Sequence, residues 1–427
     1  MTSRVRRLWV ANVEEVFAPR GPADDGWLLP KLEGMAPRFP YHLAPGDALL
    51  VSHPVPAEVR TYVRQVGGFG KEPLPVLVPG VRPSPWFLAE AVQADQQLFA
   101  QVRALVATGA WRLEPYLETP LTHRLGEALG IPGGRSPRSV VEEGLPERVN
   151  DKHAFKKLAR AAGLPVIPGT VAGSAAEARK QTFRLPPGPD GRLMLRRTQS
   201  GGGLGNLAGD PESLRDRLPG WFRPGLVLIE PLLPFNATIG VVVEVGEEGC
   251  ACRGTDEQAF DDGRWVGFRA PATDAALAAR AARDTGRLAE ALRAGGVRGY
   301  LNLDWGVIDH GGHRELVAIE ANFRHNGLAH ILDWGRACFG PVADGLCVWF
   351  LENAPVAARI DSLPALLAGL APLRLDGIPL LLTRRGGADR GVTPILPPRD
   401  GRAGVAVFGP DHAWVGRAWD LVKKALA

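Results

Sequence analysis

Short apolar runs bounded by Gly and Pro recur through the first part of the chain: RLWVANV, Asp47 to Val55, and Pro73 to Gly80. Runs of that length, closed by turn residues, predict buried strands of an α/β domain. Apolar residues then recur at helical spacing through Phe87, Leu88, Ala91, Val92, Leu98, Val102 and Leu105, after a Pro83-Ser84-Pro85 start signal. A second helix over about Leu121 to Leu129 should stop at Gly130, with Pro132 beyond it. From Ser136 the chain is polar and broken by prolines, after which Asn150 or Asp151 can cap a helix that ends at Gly163 and Pro165. A strand over Leu193 to Arg196 runs into a loop holding Gly201, Gly202, Gly203 and Gly205. LVLIEPLLPFNATIGVVVEV reads as a strand-turn-strand hairpin, and residues 274 to 294 as a packing helix ended by Gly295-Gly296. Two more strands, Leu301 to Ile308 and Glu315 to Ala321, flank a turn at Gly311-Gly312. The C-terminal residues, with IPLLLTRR, GVAVFG and a closing helix over Ala413 to Ala427, read as a small α/β region in which PILPPRD is a loop.

At 427 residues the chain exceeds one ordinary core. The expected division is an N-terminal α/β domain over 1–140, a central domain over 141–350 and a small C-terminal domain over 351–427, the last serving as a lid or as the surface of a homodimer. A hydrophobic content of 45% with 22% charged residues describes a soluble globular protein. The net charge of +4 is dispersed along the chain, so a nucleic-acid partner is not indicated. No stretch has the length of a membrane span or the apolar run of a signal peptide, and a cytoplasmic location is expected. Four cysteines are too few for a disulfide scaffold, and Cys250-Ala-Cys252 lacks the second pair that would complete a zinc site.

Two acids stand where buried strands should not want them, Asp304 and Glu320. Strand alternation puts Glu320 and Asn322 on one face, and pairing through the Gly-Gly turn brings Asp304 across the ladder to meet them. Three converging oxygens suit a hard cation such as Mg²⁺, which takes carboxylate and amide oxygens and is completed by nucleotide phosphates. The alternative is that Asp304 and Glu320 each form a salt bridge with one of the many arginines. Arg324 and His325 follow at the strand end, where side chains reach a site mouth. Lys152 falls in the first turn of its helix, where a cation opposes the helix dipole. The glycines after Arg196 and Arg197 can lay backbone N–H groups against phosphate oxygens, without the spacing of a P-loop. Glu230 and the backbone from Pro231 to Leu233 fall where a segment could rim an adenine. No G-x-G-x-x-G follows the first strand, which speaks against a nicotinamide site.

Taken in order, Asn150-Asp151-Lys152, the strand and glycine loop over 193 to 205, the IEPLL segment, Asp304 and the IEANFR run resemble an ATP-grasp ligase across about residues 140 to 330. The layout is most similar to the pheganomycin-type peptide ligases. The resemblance implies an ATP-grasp fold behind an N-terminal pre-grasp domain. It also implies ATP contacts from Lys152, Arg196, Gly201, Gly202 and Gly203, an adenine pocket at Glu230 and Leu233, and Asn236 as the nearest ribose partner. Asp304, Glu320 and Asn322 would hold Mg²⁺, and Arg324 would lie against the transferred phosphoryl group. The implied reaction joins a carboxylic acid to an amine or peptide through an acyl phosphate, the acid being a non-proteinogenic residue in the pheganomycin-type case. An amino-acid ligase acting on another substrate, or an ATP-binding regulatory protein without ligase turnover, are the alternatives.

Overall fold

The computed structural model describes residues 4–17, 28–81, 87–200, 205–261, 263–386 and 389–427. The chain has a mixed α/β fold in two compact units: Met1–Arg138 with Val266–Pro271 and His325–Ala427, and Ser139–Trp265 with Ala272–Arg324.

In the first unit, Val76–Leu77, Ala48–Leu50, Arg6–Val10 and Trp111–Pro115 form a parallel sheet in that order. Parallel strands are covered on both faces, which is why these segments read as unbroken apolar runs. Leu8, Val10, Leu50 and Leu113 pack with Val92, Val102 and Leu125 from the helices. The single helix expected after Phe87 is two, Leu88–Ala94 and Gln96–Val106, because the Asp95 carboxylate accepts from Leu98 N at 3.0 Å and caps a new start. The Pro83-Ser84-Pro85 signal lies outside the described residues. Gly130 ends Pro120–Leu129 with φ +72°, as its sequence position demands.

The same unit contains antiparallel strands Cys347–Pro355, Arg402–Gly409 and Gly391–Arg399. The last of these corrects the expectation for PILPPRD, most of which is strand and not loop. Gly391–Arg399 lies at the sheet edge, and its register shifts between Pro394 and Leu396 and again between Leu396 and Arg399. An edge position with bulges is where prolines lacking an N–H are tolerated in a sheet.

His325, expected at a site mouth, is instead buried in this unit, where its Nε2 lies 3.0 Å from Glu114. His42 and His330 are buried beside it, with ring centroids 5.4 Å and 5.6 Å apart from His42 to each neighbour, and Trp9 stacks on His42 at 4.5 Å. Burial pushes the His42 imidazole down to about 4, against the hydrogen bond to Asp333 at 3.4 Å and with help from His325 and Arg38. Burial also holds His330 well below the usual range. A depressed folded-state pKa contributes stability that is fully present above the unfolded value near 6.5 and is lost as pH falls toward about 4. For His42 alone the loss between pH 7 and 4.5 is about 2–3 kcal/mol. A His42→Gln variant should therefore show a flatter fall in urea-unfolding free energy over that window than the wild type. Parallel pH profiles for the two proteins would show that His42 is not the source.

In the second unit, Thr170–Ala172, Val227–Pro231, Leu193–Arg197 and Asn206–Gly209 form an antiparallel sheet. A second set, His313–Phe323, Gly299–His310, Ala237–Val245 and Cys250–Asp261, pairs antiparallel in that order. Its apolar face, including Val241, Val243, Leu301 and Trp305, packs on Leu288 and Leu292 of helix Ala275–Ala294 and on Phe155 of helix Lys152–Ala161. The IEPLL segment is not a hairpin: Val227–Pro231 and Ala237–Val245 belong to different sheets. The linker offers no glycine for a tight turn, and Pro231 and Pro234 cannot donate to a ladder, so the chain crosses from one sheet to the next.

Candidate active site

All side chains of the site described next lie in the second unit. Gly311 and Gly312 take φ +68° and +100°, conformations that favour glycine, and close the turn between the two strands; a register shift between Asp304 and Trp305 then sets Asp304 directly opposite Glu320. Asn302 and Asn322 face each other two residues along. Two carboxylates paired across a ladder repel unless something neutralises them, and here the two are treated in opposite ways.

Glu320 is surrounded by cations. Arg196 Nη2 donates to its Oε2, Lys152 Nζ lies 3.6 Å from the same oxygen, and Arg196 Nη1 also donates to the carbonyl of Ile319 at 3.1 Å. Burial opposes ionisation of Glu320, but Lys152, Arg196 and Arg324 outweigh it and hold the carboxyl below its usual range. Asp304 has only amides: Gln258 Nε2 at 2.7 Å and Asn302 Nδ2 at 2.8 Å donate to Oδ1, and Asn322 Nδ2 lies 3.5 Å from Oδ2. Burial, and then the charge of Glu320, push Asp304 upward.

Lys152 opens its helix just after Asp151, whose carboxylate accepts from His153 N and Ala154 N at 3.0 Å and 2.9 Å. Asp151 is thus the cap, and it offsets the unfavourable placement of a lysine in the first turn. Lys152 Nζ donates to the carbonyl of Ser200 at 2.7 Å and its backbone N to that of Thr198 at 2.9 Å, which ties the helix start to the strand leaving for the glycine loop. Burial lowers the Lys152 ammonium to about 8, against the pull of Glu320. Gly201, Gly202 and Gly203 lie outside the described residues, whereas Gly205 takes φ +85°.

Glu230 is buried with its carboxylate against Lys156 Nζ and 3.7 Å from Arg196 Nη1. Its acid is turned to these cations, and the part of the segment left to rim a base is the half-buried stretch Pro231 to Leu233. Asn236 is exposed and uses its Oδ1 to accept from Asp309 N at 2.8 Å. It lies just before the strand Ala237–Val245, four residues from Gly240, which pairs with Asp304. At roughly 3.3 Å per residue this sets it well away from the acids. The structure therefore brings Lys152, Arg196, Asp304, Glu320, Asn322 and Glu230 into one network and leaves Asn236 outside it.

Several members of the network were not legible as site residues. Lys156 follows Lys152 at i+4 on the same helix face, the one signal that could have found it. Asn150 is more than a helix-start residue: its Oδ1 accepts from Phe323 N at 2.8 Å and from Arg324 Nη1 at 3.0 Å, which fixes the guanidinium. Asp256 pairs in register with Gly240, and Gly240 pairs in turn with Asp304. A Cβ on Gly240 would lie 2.5 Å from Asp256 Oδ2, so the glycine is what makes room for this buried acid. Burial, then Asp304, push the Asp256 carboxyl well up.

Among the described residues no group of three or more His, Cys, Asp or Glu side chains is set to hold a metal ion by itself. Two carboxylates in cross-strand register with amides around them are an oxygen-only donor set, suited to Mg²⁺ completed by water or phosphate. Among the described residues the buried Asn302 Oδ1 has no hydrogen-bond partner, and the Nδ2 of the same amide is the atom that faces Asp304. Among the described residues no helix is long and apolar enough to cross a membrane.

Residues 36–131 match the model of the pre ATP-grasp domain family. No curated relative matches the chain. Among solved structures, the chain is similar to N5-carboxyaminoimidazole synthase from Aspergillus clavatus in complex with ADP and 5-aminoimidazole ribonucleotide. The two share 13% identity over 99% of each chain, with a TM-score of 0.60. It is also similar to a nucleotide complex of biotin carboxylase from Campylobacter jejuni, at 13% identity over 99% of this chain and 92% of that one, TM-score 0.60. A third is the biotin carboxylase domain dimer of Hydrogenobacter thermophilus 2-oxoglutarate carboxylase with MgADP, ADP and bicarbonate. It shares 14% identity over 96% of this chain and 87% of that one, with a TM-score of 0.56. A pre ATP-grasp segment at 36–131 and a likeness that runs the length of the chain give this protein the fold of the ATP-grasp enzymes.

Proposed function

We propose that the chain is an ATP-dependent carboxylate-amine ligase whose nucleotide and Mg²⁺ are held in the second unit. The observation that carries this reading is the cross-strand pair Asp304 and Glu320, with Asn322 beside it and Lys152, Arg196 and Arg324 converging on Glu320. In it, Asp304, Glu320 and Asn322 would take the metal, Lys152 and Arg196 the phosphates, and the stretch from Glu230 to Leu233 the base. Mg²⁺ held there would supply charge neutralisation for the phosphates. Phosphoryl transfer calls for positioning and charge neutralisation and not for a protein nucleophile. Arg324 is the group placed to meet charge that develops on the transferred phosphoryl group. A carboxylate oxygen of the acid attacks the γ-phosphorus of ATP and ADP leaves; the amine then attacks the acyl carbon of the acyl phosphate, phosphate leaves with loss of the amine proton, and the amide results.

The order of motifs along the chain supports a pheganomycin-type peptide ligase joining a non-proteinogenic acid to a peptide amine. The carboxylases among the similar structures, one with bicarbonate bound, support a second reading in which bicarbonate is the acid. ADP release with Mg²⁺ and ATP, screened by mass spectrometry over carboxylic acids, bicarbonate, amines and short peptides, separates the two. Turnover that requires both an acid and an amine is the expected result. Nucleotide binding with no acid-dependent turnover from any pair would favour a regulatory ATP-binding protein.

A further inference from the structure

We infer that Glu320 selects the metal complex of a nucleotide over the free nucleotide, because its carboxylate holds the same cations that phosphate needs. The inference rests on the nucleotide site proposed above and deepens it. Lys152 and Arg196 both converge on one oxygen of Glu320, its Oε2. Both side chains are more than nine-tenths buried. Water therefore offers neither cation much of a substitute partner, although the Glu320 side chain is itself 22% exposed. Arg196 is held on its other side by Glu230 and by the carbonyl of Ile319. Lys152 is held by the carbonyl of Ser200, at the mouth of the glycine loop. The remaining charges that face this point are Arg324 and, across the ladder, Asp304.

A phosphate chain entering without a cation must take Lys152 and Arg196 away from Glu320 and lie against two carboxylates. Entering with Mg²⁺, it meets an exchange of partners: the carboxylates turn to the ion, and the freed ammonium and guanidinium turn to the phosphates. Every charge keeps a counter-charge, and the cost of stranding any of them in a buried site is avoided. Metal and nucleotide thus strengthen each other's binding reciprocally, as any coupling between two sites must. Glu320 is the residue through which the coupling runs. Among the described residues Asp304 has no cation hydrogen-bonded to it to release: its donors are the amides of Gln258, Asn302 and Asn322, and Arg324 acts on it only through its charge.

Isothermal titration calorimetry with ADP, in EDTA and in excess Mg²⁺, tests this on the full chain without any need for the acid or amine. Wild-type protein should bind ADP at least about tenfold more tightly with Mg²⁺, about 1.4 kcal/mol. Glu320→Gln removes the competing charge and keeps the shape. In EDTA it should bind ADP about tenfold more tightly than wild type, and its gain on adding Mg²⁺ should shrink. Inorganic tripolyphosphate, which has no base to bind, should show the same ordering, since the effect lies in the cations. If the variant binds ADP in EDTA no more tightly than wild type while both bind with Mg²⁺, the selection role is overturned and the nucleotide site stands. If wild type binds ADP under neither condition, both fall. Should the Gln variant not fold, Glu320→Asp draws the carboxylate back by one methylene and should give metal-free binding between wild type and the tenfold gain. Unchanged metal-free binding in Glu320→Asp would overturn the role equally.

Discussion

Glu230→Leu is expected to lower the unfolding free energy by about 3–5 kcal/mol, the range seen when one partner of a buried ion pair is removed. The Glu230 side chain is 2% exposed and that of Lys156 3%, so neither charge has water to fall back on. With the carboxylate gone, Lys156 retains, among the described residues, only the carbonyl of Ile167, to which its Nζ donates at 2.6 Å. Arg196 is less exposed to the loss, because Glu320 and the Ile319 carbonyl still hold it. Burial and the Arg196 charge already push the Lys156 ammonium down, and the variant should drive it neutral. A Glu230→Leu/Lys156→Met double variant strands no lysine and should recover most of the loss, so the double-mutant cycle should show strong coupling. Urea unfolding at pH 7 measures all three proteins. A single-variant cost below about 1 kcal/mol would show that the pair is not an isolated buried couple.

The fate of that pair marks what a sequence can show. The strands around Asp304 and Glu320 are legible because their pairing is local, a Gly-Gly turn joining two alternating segments; the turn's register alone would set Asp304 opposite Ile319, and a bulge between Asp304 and Trp305, which no local signal marks, brings it opposite Glu320. Glu230, by contrast, was readable only as part of an apolar run. Its partner Lys156 is 74 residues earlier in the chain, on a helix whose burial depends on which sheet it packs against. The same limit explains the IEPLL segment. Two strands with a short link imply a hairpin until long-range partners are known, and here Val227–Pro231 finds Leu193–Arg197 while Ala237–Val245 finds Gly299–His310.

Gln258 and Asp256 belong with this group, since the register of Cys250–Asp261 on Ala237–Val245 is what carries both toward Asp304. Composition misled in one place: prolines in PILPPRD argued for a loop, and an edge position with register shifts absorbed them into a strand. The alternative weighed for the acids, salt bridges to arginine, describes Glu320, which pairs with Arg196. It does not describe Asp304, whose hydrogen bonds come from amides. The two readings of Glu320 are compatible, because a carboxylate that pairs with cations in one state can hand them to phosphate in another.

Arg324→Ala is expected to depress kcat for ADP release by about 10²–10³-fold, the scale for losing one preorganised donor to developing charge. The dissociation constant for MgADP should stay within about threefold, because an interaction made mainly in the transition state leaves ground-state binding alone. Arg324 reaches Asn150 Oδ1 at 3.0 Å, and the same oxygen accepts from Phe323 N at 2.8 Å, so one amide fixes both the strand end and the guanidinium. Asn150 Nδ2 is anchored in turn on the carbonyl of Pro146 at 2.9 Å. On the proposed reading of Arg324, Asn150 acts as a positioning residue. Asn150→Ala should lower kcat by about tenfold, and adding it to Arg324→Ala should cost little more, since its effect passes through the missing guanidinium. Arg324→Lys keeps a charge without the planar fork that meets two oxygens at once, and should restore only a small part of the rate. Steady-state ADP release with the best acid and amine pair, alongside calorimetric MgADP affinity, reads each variant. A kcat for Arg324→Ala within threefold of wild type would take this guanidinium out of the reaction. An additive loss in the double variant would mean that Asn150 acts on the strand end and not on Arg324.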